Sequence, residues 1–216
     1  MRKFLLTMRA VGWLLALLVA GPAQADEVTV TVLDRDGEPV SGVAVYLEDT
    51  ATRASSGRGQ TAVMDQVDTR FVPHLLVVQK GTLVEFPNSD PIAHHVYSFS
   101  QPNDFQLPLY KGDVHEPIAF DHPGLVTLGC NIHDQMLAYI LIVDGPVFGM
   151  TNEAGQVTFD SPDSADATVS IWSPRIRPRG ETLTLDASKA EVVFQLQGRL
   201  RPPHDSERGG VEWSDY

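Results

Sequence analysis

In the run GCNIHDQM (129–136), Cys130, His133 and Met136 stand at C-x2-H-x2-M spacing, and His94 stands well upstream. A thiolate, two imidazoles and a weak thioether form the donor set of a blue-copper centre. Thiolate and thioether are soft donors that suit Cu(I), and imidazole suits both oxidation states. A site between the geometries that Cu(I) and Cu(II) prefer needs little rearrangement when an electron passes. Taken singly, each residue has a plainer use. A lone buried Cys is an inert small apolar group, a lone Met is core filler, and a His near a turn is solvated. Spacing, strand placement and the upstream His together point to one copper ion, with zinc in the same ligands as the chemical competitor. Gln135 is the alternative to Met136 as axial donor. His74, His115, His122 and His204 show no close-spaced metal pattern and read as surface or structural residues.

The elements that must position these groups read as strands. VTVTVL (28–33) alternates Val and Thr with period two, and Val43, Val45 and Leu47 alternate after the turn run DRDGEP (34–39). HLLVVQ (74–79) and TLVEF (82–86) flank Lys80-Gly81 and look like a hairpin. The turn Asn88-Ser89-Asp90-Pro91 precedes HHVYSFS (94–100), and Asp121-His122-Pro123-Gly124 precedes VTLGC (126–130). LAYILIV (137–143), QVTFD (156–160), ATVSIW (167–172) and VVFQLQ (192–197) complete the strand candidates. Short strands between frequent turn signals predict an all-β sandwich or barrel with almost no helix. Cys130 then ends one strand, a short loop carries His133 and Met136, and the next strand starts at Leu137. His94 comes from a strand distant in sequence.

Two stretches resemble the cupredoxin family. RFVPHLLVVQKGTLVEFPNSDPIAHHVYSFS (70–100) is similar to its run of strand, Lys-Gly, strand, Asn-containing turn and first His ligand. GCNIHDQMLAYILIV (129–143) is similar to its ligand loop and last strand, in the short amicyanin-like spacing. The arrangement also resembles bacterial proteins named methylamine utilisation proteins. The resemblance implies a Greek-key sandwich with a metal site of His94, Cys130, His133 and Met136, the first three as strong ligands and Met136 tuning the ion axially. Aligning the family's Pro-His-Asn-Val on Ala93-His94-His95-Val96 makes His94 the ligand and puts His95 where the family has Asn. In a strand the two side chains point to opposite faces, so one ion takes only one of them. The resemblance further implies that His133 lies nearest the surface as the electron's exit, with Ile92 and Ile132 as an apolar docking rim.

The flanks resemble another module. VTVTVLDRDGEPVSGVAVYLED (28–49) and VFGMTNEAGQVTFD with ATVSIWSP (147–174) are similar to the strands of carboxypeptidase-regulatory-like, transthyretin-like β-sandwiches. The expected organisation is a signal peptide (1–25), a discontinuous sandwich (26–54 and 144–197), an inserted cupredoxin-like copper domain (55–143) and a polar, disordered tail (198–216). Insertion is tolerated where the termini of the inserted domain lie close together.

Composition bounds the rest. The chain has 216 residues, 16 Lys+Arg against 28 Asp+Glu, a net charge of −12 and one Cys. No basic block serves phosphate contact, so nucleic acid is excluded as a partner. One Cys excludes an internal disulfide framework, a Cys-x2-Cys zinc site and a Cys-ligated iron–sulfur cluster. Arg2, Lys3 and Arg9, the apolar run 10–20 and the small-x-small site Ala23-Gln24-Ala25 read as a secretory signal, too short to span a bilayer. The expected location is the periplasm, with no stable membrane anchor. Without residues 1–25, which carry three basic groups and no acid, the charge becomes −15. That acidity suits a redox partner with basic residues, such as a c-type cytochrome.

The function expected is one-electron transfer by an exported type 1 copper protein. The alternative is a non-catalytic copper-binding or scaffold protein of the cell envelope. Enzymes fit less well. A copper nitrite reductase needs a second copper site, and no second His constellation matches one; a Ser hydrolase lacks its G-x-S-x-G motif.

Overall fold

The computed structural model describes residues 27–48, 56–112, 115–160, 167–176, 181–184 and 190–204. Residues 1–25, read above as a secretory signal, and the aromatic residues Trp213 and Tyr216 lie outside the described residues. Among the described residues there are strands and no helix. The chain opens with β1 (Glu27–Leu33) and β2 (Ala44–Glu48). It continues through β3 (Thr61–Val63), β4 (Asp65–Val67), β5 (Arg70–Val72), β6 (Leu75–Gln79), β7 (Thr82–Glu85) and β8 (His94–Ser98). Then come β9 (Phe105–Tyr110), β10 (Ile118–Phe120), β11 (Gly124–Gly129) and β12 (Leu137–Val143). It closes with β13 (Phe148–Met150), β14 (Gln156–Asp160), β15 (Thr168–Trp172), β16 (Glu181–Thr184) and β17 (Glu191–Gln195).

These strands form four main sheets. Their orders are β14-β1-β17, β13-β2-β15-β16, β6-β12-β11-β8-β9 and β10-β7-β3, with β4–β5 as a separate hairpin. The first two come from the chain's two ends and the others from its middle. Alternation along the strands explains how the sheets stack. On β12, Ala138, Ile140 and Ile142 enter one buried cluster with Leu76, Val78, Val84 and Phe120. The intervening Leu141 and Val143, with Tyr139 packed alongside, enter a second cluster with Leu75, Ala44 and Trp172. On β2 and β15, Val45, Leu47, Val169 and Ile171 face the other way, into a third cluster with Val28, Val30, Val32 and Phe194. Strands β6 and β12 are therefore apolar on both faces, which is why LAYILIV reads as an unbroken apolar run. Tyr139 and Trp172 meet edge to face across the middle layer, ring centroids 5.3 Å apart.

Pairing of β1 with β17 is parallel, Thr29 opposite Glu191, so the two ends of the described chain share a sheet. Two local expectations change. Lys80-Gly81 does not close a hairpin: β6 pairs with β12, while β7 pairs with β10 and β3 in a different sheet. The Lys80 N–H donates to Val143 and the Gly81 N–H to Phe120, one partner in each sheet, so the turn carries the chain from one layer to the next. The first residues of the polar tail are also held. The Arg201 N–H donates to the Arg175 carbonyl at 2.8 Å, and the His204 ring stacks on His74 at 5.2 Å.

Candidate metal centre

The donors converge at one end of the sandwich formed by the β6-β12-β11-β8-β9 and β10-β7-β3 sheets. His94 opens β8 directly after the turn at Asn88–Ala93, and its side chain is fully buried. Register shifts here: His94 pairs with Tyr110 but Val96 pairs with Leu107, so β9 carries one extra residue in this stretch, which includes Pro108. Such bulges re-aim side chains, and a Pro without N–H is tolerated on this edge strand. Cys130 follows the last residue of β11 and is buried, with a free thiol. Before it, Gly129 lies opposite Tyr97, and a Cβ at Gly129 would come within 2.8 Å of the Tyr97 ring. Glycine is needed there for the aromatic ring to cover the strand beside the cysteine.

His94 Nδ1 lies 3.1 Å from His133 Nδ1, and His133 Nδ1 lies 3.9 Å from Cys130 Sγ. The donor atoms of these three residues all lie within 4.8 Å of one another. An ion held about 2.0–2.1 Å from imidazole nitrogen and about 2.3 Å from thiolate sulfur permits N–N and N–S separations up to roughly 4.2 and 4.4 Å. Both short separations satisfy that limit. The group could hold one metal ion, and its mixture of soft sulfur and imidazole suits copper.

The remaining candidates sort clearly. Met136 is buried in the same apolar cluster as Cys130, and its N–H donates to the His133 carbonyl at 2.9 Å, closing the loop. Gln135 is exposed. His95 points away from the donor group: its Nε2 sits 2.9 Å from Gln106 Nε2, its Nδ1 is buried without a partner, and burial lowers its pKa. His74 is a structural residue, buried beside Tyr139 and His204, and burial followed by the His204 charge lowers its pKa to about 4. His133 is half-buried, and Ile92 and Ile132 are 42% and 52% exposed on the two loops that bear the histidines.

One residue escaped the sequence reading. Asp90 Oδ2 lies 2.6 Å from His94 Nε2, and both side chains are buried. Burial alone would raise the Asp90 carboxyl, but hydrogen bonds from the Thr69 amide, His94 and the Asp68 amide outweigh it and hold the group below its usual value. In sequence Asp90 is one member of a turn run; its place four residues before a candidate ligand was the available signal.

No family model matches the chain, and no curated protein matches it. Among solved structures, a copper-containing nitrite reductase from Thermus scotoductus SA-01 is similar, with 26% identity and a TM-score of 0.37. That match covers 40% of this chain and 23% of the reductase, so the chain spans under a quarter of that protein. A reduced single-residue variant of amicyanin has 17% identity and a TM-score of 0.36, covering 46% of this chain and 98% of its own. A second amicyanin variant, in its Cu(I) form at pH 4, gives the same values.

Proposed function

We propose that this chain is an exported type 1 copper protein that passes single electrons by cycling between Cu(I) and Cu(II). The observation that carries this is the convergence of His94 Nδ1, His133 Nδ1 and Cys130 Sγ at the end of a sheet whose strands β6 and β12 are buried on both faces. His94, Cys130 and His133 would hold the ion, with Met136 as the axial thioether. The bound ion would supply a reversible one-electron couple. The protein's part is to keep the donors fixed through both states: β8 and β11 hold His94 and Cys130, and the His133–Met136 hydrogen bond holds the loop. Exposed Ile92 and Ile132 beside half-buried His133 offer an apolar rim for docking.

In this proposal residues 55–143 are the copper domain, inserted in a carboxypeptidase-regulatory-like sandwich of 26–54 and 144–197, and residues 1–25 direct export to the periplasm. The acidic charge steers a basic redox partner such as a c-type cytochrome, so the docking rate falls as salt rises. A rate independent of salt removes the steering. The deciding experiment is the absorption spectrum of the purified protein with Cu(II), followed by reduction and reoxidation. An intense visible thiolate-to-copper band that bleaches and returns is expected. Copper-loaded protein without that band, its Cys130 still reduced, overturns the proposal. A band that forms but does not exchange electrons with small redox mediators points instead to a copper-binding envelope protein.

A further inference from the structure

We propose that Asp90 is a positioning residue of this centre, whose carboxylate fixes the ring orientation and tautomer of His94 and favours the oxidised ion. The effect on the ion rests on the copper proposal; the effect on His94 does not.

The carboxylate is itself held by a built cradle. Its oxygens accept the N–H of Asp68 at 2.6 Å, the N–H of Thr69 at 2.8 Å and His94 Nε2 at 2.6 Å. Asp68 and Thr69 are the two residues between β4 and β5, with φ of 50° and 57°. Two-residue turns with both central φ positive favour Asn-Gly, because other side chains resist the left-handed region. Here Asp-Thr occupies that turn, and the conformation aims two successive amides at one anion. The loop is pinned from its other side as well. Asn88 Oδ1 accepts the Asp90 N–H at 3.0 Å, and Asn88 Nδ2 donates to the carbonyls of Ile92 and Tyr110 at 2.9 Å each.

An ionised carboxylate only accepts hydrogen bonds, so the shared proton belongs to His94 Nε2. Nδ1 then carries the lone pair, and it faces His133 Nδ1 and Cys130. A carboxylate behind a ligating imidazole fixes the tautomer and raises ligand basicity, and losing such a partner weakens metal binding about 10–100-fold. Its negative charge also stabilises Cu(II) more than Cu(I).

Two measurements on the full chain test this. In the copper-free wild type, ¹⁵N–¹H correlation of the histidine side chains is expected to show His94 as a single Nε2–H tautomer. A His94 that is Nδ1–H or mixed overturns the proposal, whether or not any variant folds. Copper titrations of Asp90→Asn are expected to show Cu(II) affinity reduced about tenfold more than Cu(I) affinity, a rise of about 59 mV in midpoint potential. Asp65→Asn is the control. Asp65 bonds Ser89 Oγ at 2.7 Å and so ties the same hairpin to the same loop without touching His94. Its potential is expected to match the wild type. Equal shifts in both variants, or none in Asp90→Asn, overturn the charge role. Absence of the thiolate band in the wild type removes the copper proposal but leaves the tautomer measurement to decide what Asp90 does.

Discussion

The outer sandwich, built from the chain's two ends (β14-β1-β17 on β13-β2-β15-β16), and the inner one, built from its middle (β6-β12-β11-β8-β9 on β10-β7-β3), use the same alternation but bury different things. In the outer sandwich the core is Val28, Val30, Val32, Val45, Leu47, Val169, Ile171 and Phe194, and among the described residues its buried polar side chains are hydroxyls. Thr151 is representative: one Oγ1 accepts the Val43 N–H and donates to the Val40 carbonyl. The inner sandwich buries Gln66, Asn88, Asp90, His94 and His95 around one end. There Gln66 bonds Pro87 and Tyr110, Asn88 bonds Ile92 and Tyr110, and Asp90 bonds His94. Burying an amide or an imidazole costs free energy unless it is hydrogen-bonded, and burying a charge costs far more unless it is paired. These side chains gather at the end where the donors converge, while Gln79 and Thr82 are buried at the other.

The contrast can be broken most completely at Cys130. Cys130→Ser keeps the size of the side chain but removes the thiolate, so the visible copper band disappears entirely while circular dichroism stays β-type. A band that survives means the sulfur is not a ligand. The opposite change is Ile171→Ala in the outer core. Removing a fully buried Ile is expected to cost about 2–5 kcal/mol in chemical denaturation, with the band of the folded protein unmoved. A shifted band would show that the outer core reaches the site.

Acid tests the layer between the two. Folded His74 titrates at about 4 and unfolded His at the ordinary 6.5, so between those values the unfolded chain binds the extra proton. Stability from this residue is whole above pH 6.5 and falls as the pH drops toward 4, by on the order of 3 kcal/mol. His74→Phe is expected to flatten that part of the stability–pH curve; an unchanged slope refutes the assignment. The smallest effect belongs to Lys80 and Asp144, an ion pair at 2.7 Å with both side chains partly exposed. Asp144→Asn is expected to cost about 0–1 kcal/mol and to lose even that at high salt.

Strands and donors were legible to different degrees, for physical reasons. QVTFD and LAYILIV correspond to β14 and β12 residue for residue, because a buried face imposes alternation or an unbroken apolar run. β9, with its run FQLPLY, went unread. Pro108 argues against a strand, and only its place on a sheet edge makes it acceptable. β3, β4 and β5 have three residues each, too few for a period to show. The apparent hairpin at Lys80-Gly81 failed because a turn signal marks a reversal without saying which sheet receives the next strand. At the centre, C-x2-H-x2-M was visible because one short loop holds all three groups. Asp90 was not, since its partners Asp68 and Thr69 lie on a hairpin that meets it only in three dimensions.

The parallel pairing of β1 with β17 sets an order on synthesis. Thr29 cannot meet Glu191 until synthesis has passed Glu191, and closing so long a loop is slow as well as late. The strands from β3 to β12 find all their ladder partners among themselves, so those pairings are available before β13 exists. A chain emerging vectorially can therefore bring His94 and Cys130 together while β1 still waits for both of its neighbours. Truncation near the C-terminus would strand an exposed edge on the outer sheet, a ready site for aggregation, while every sheet that bears a candidate ligand keeps its full complement of strands.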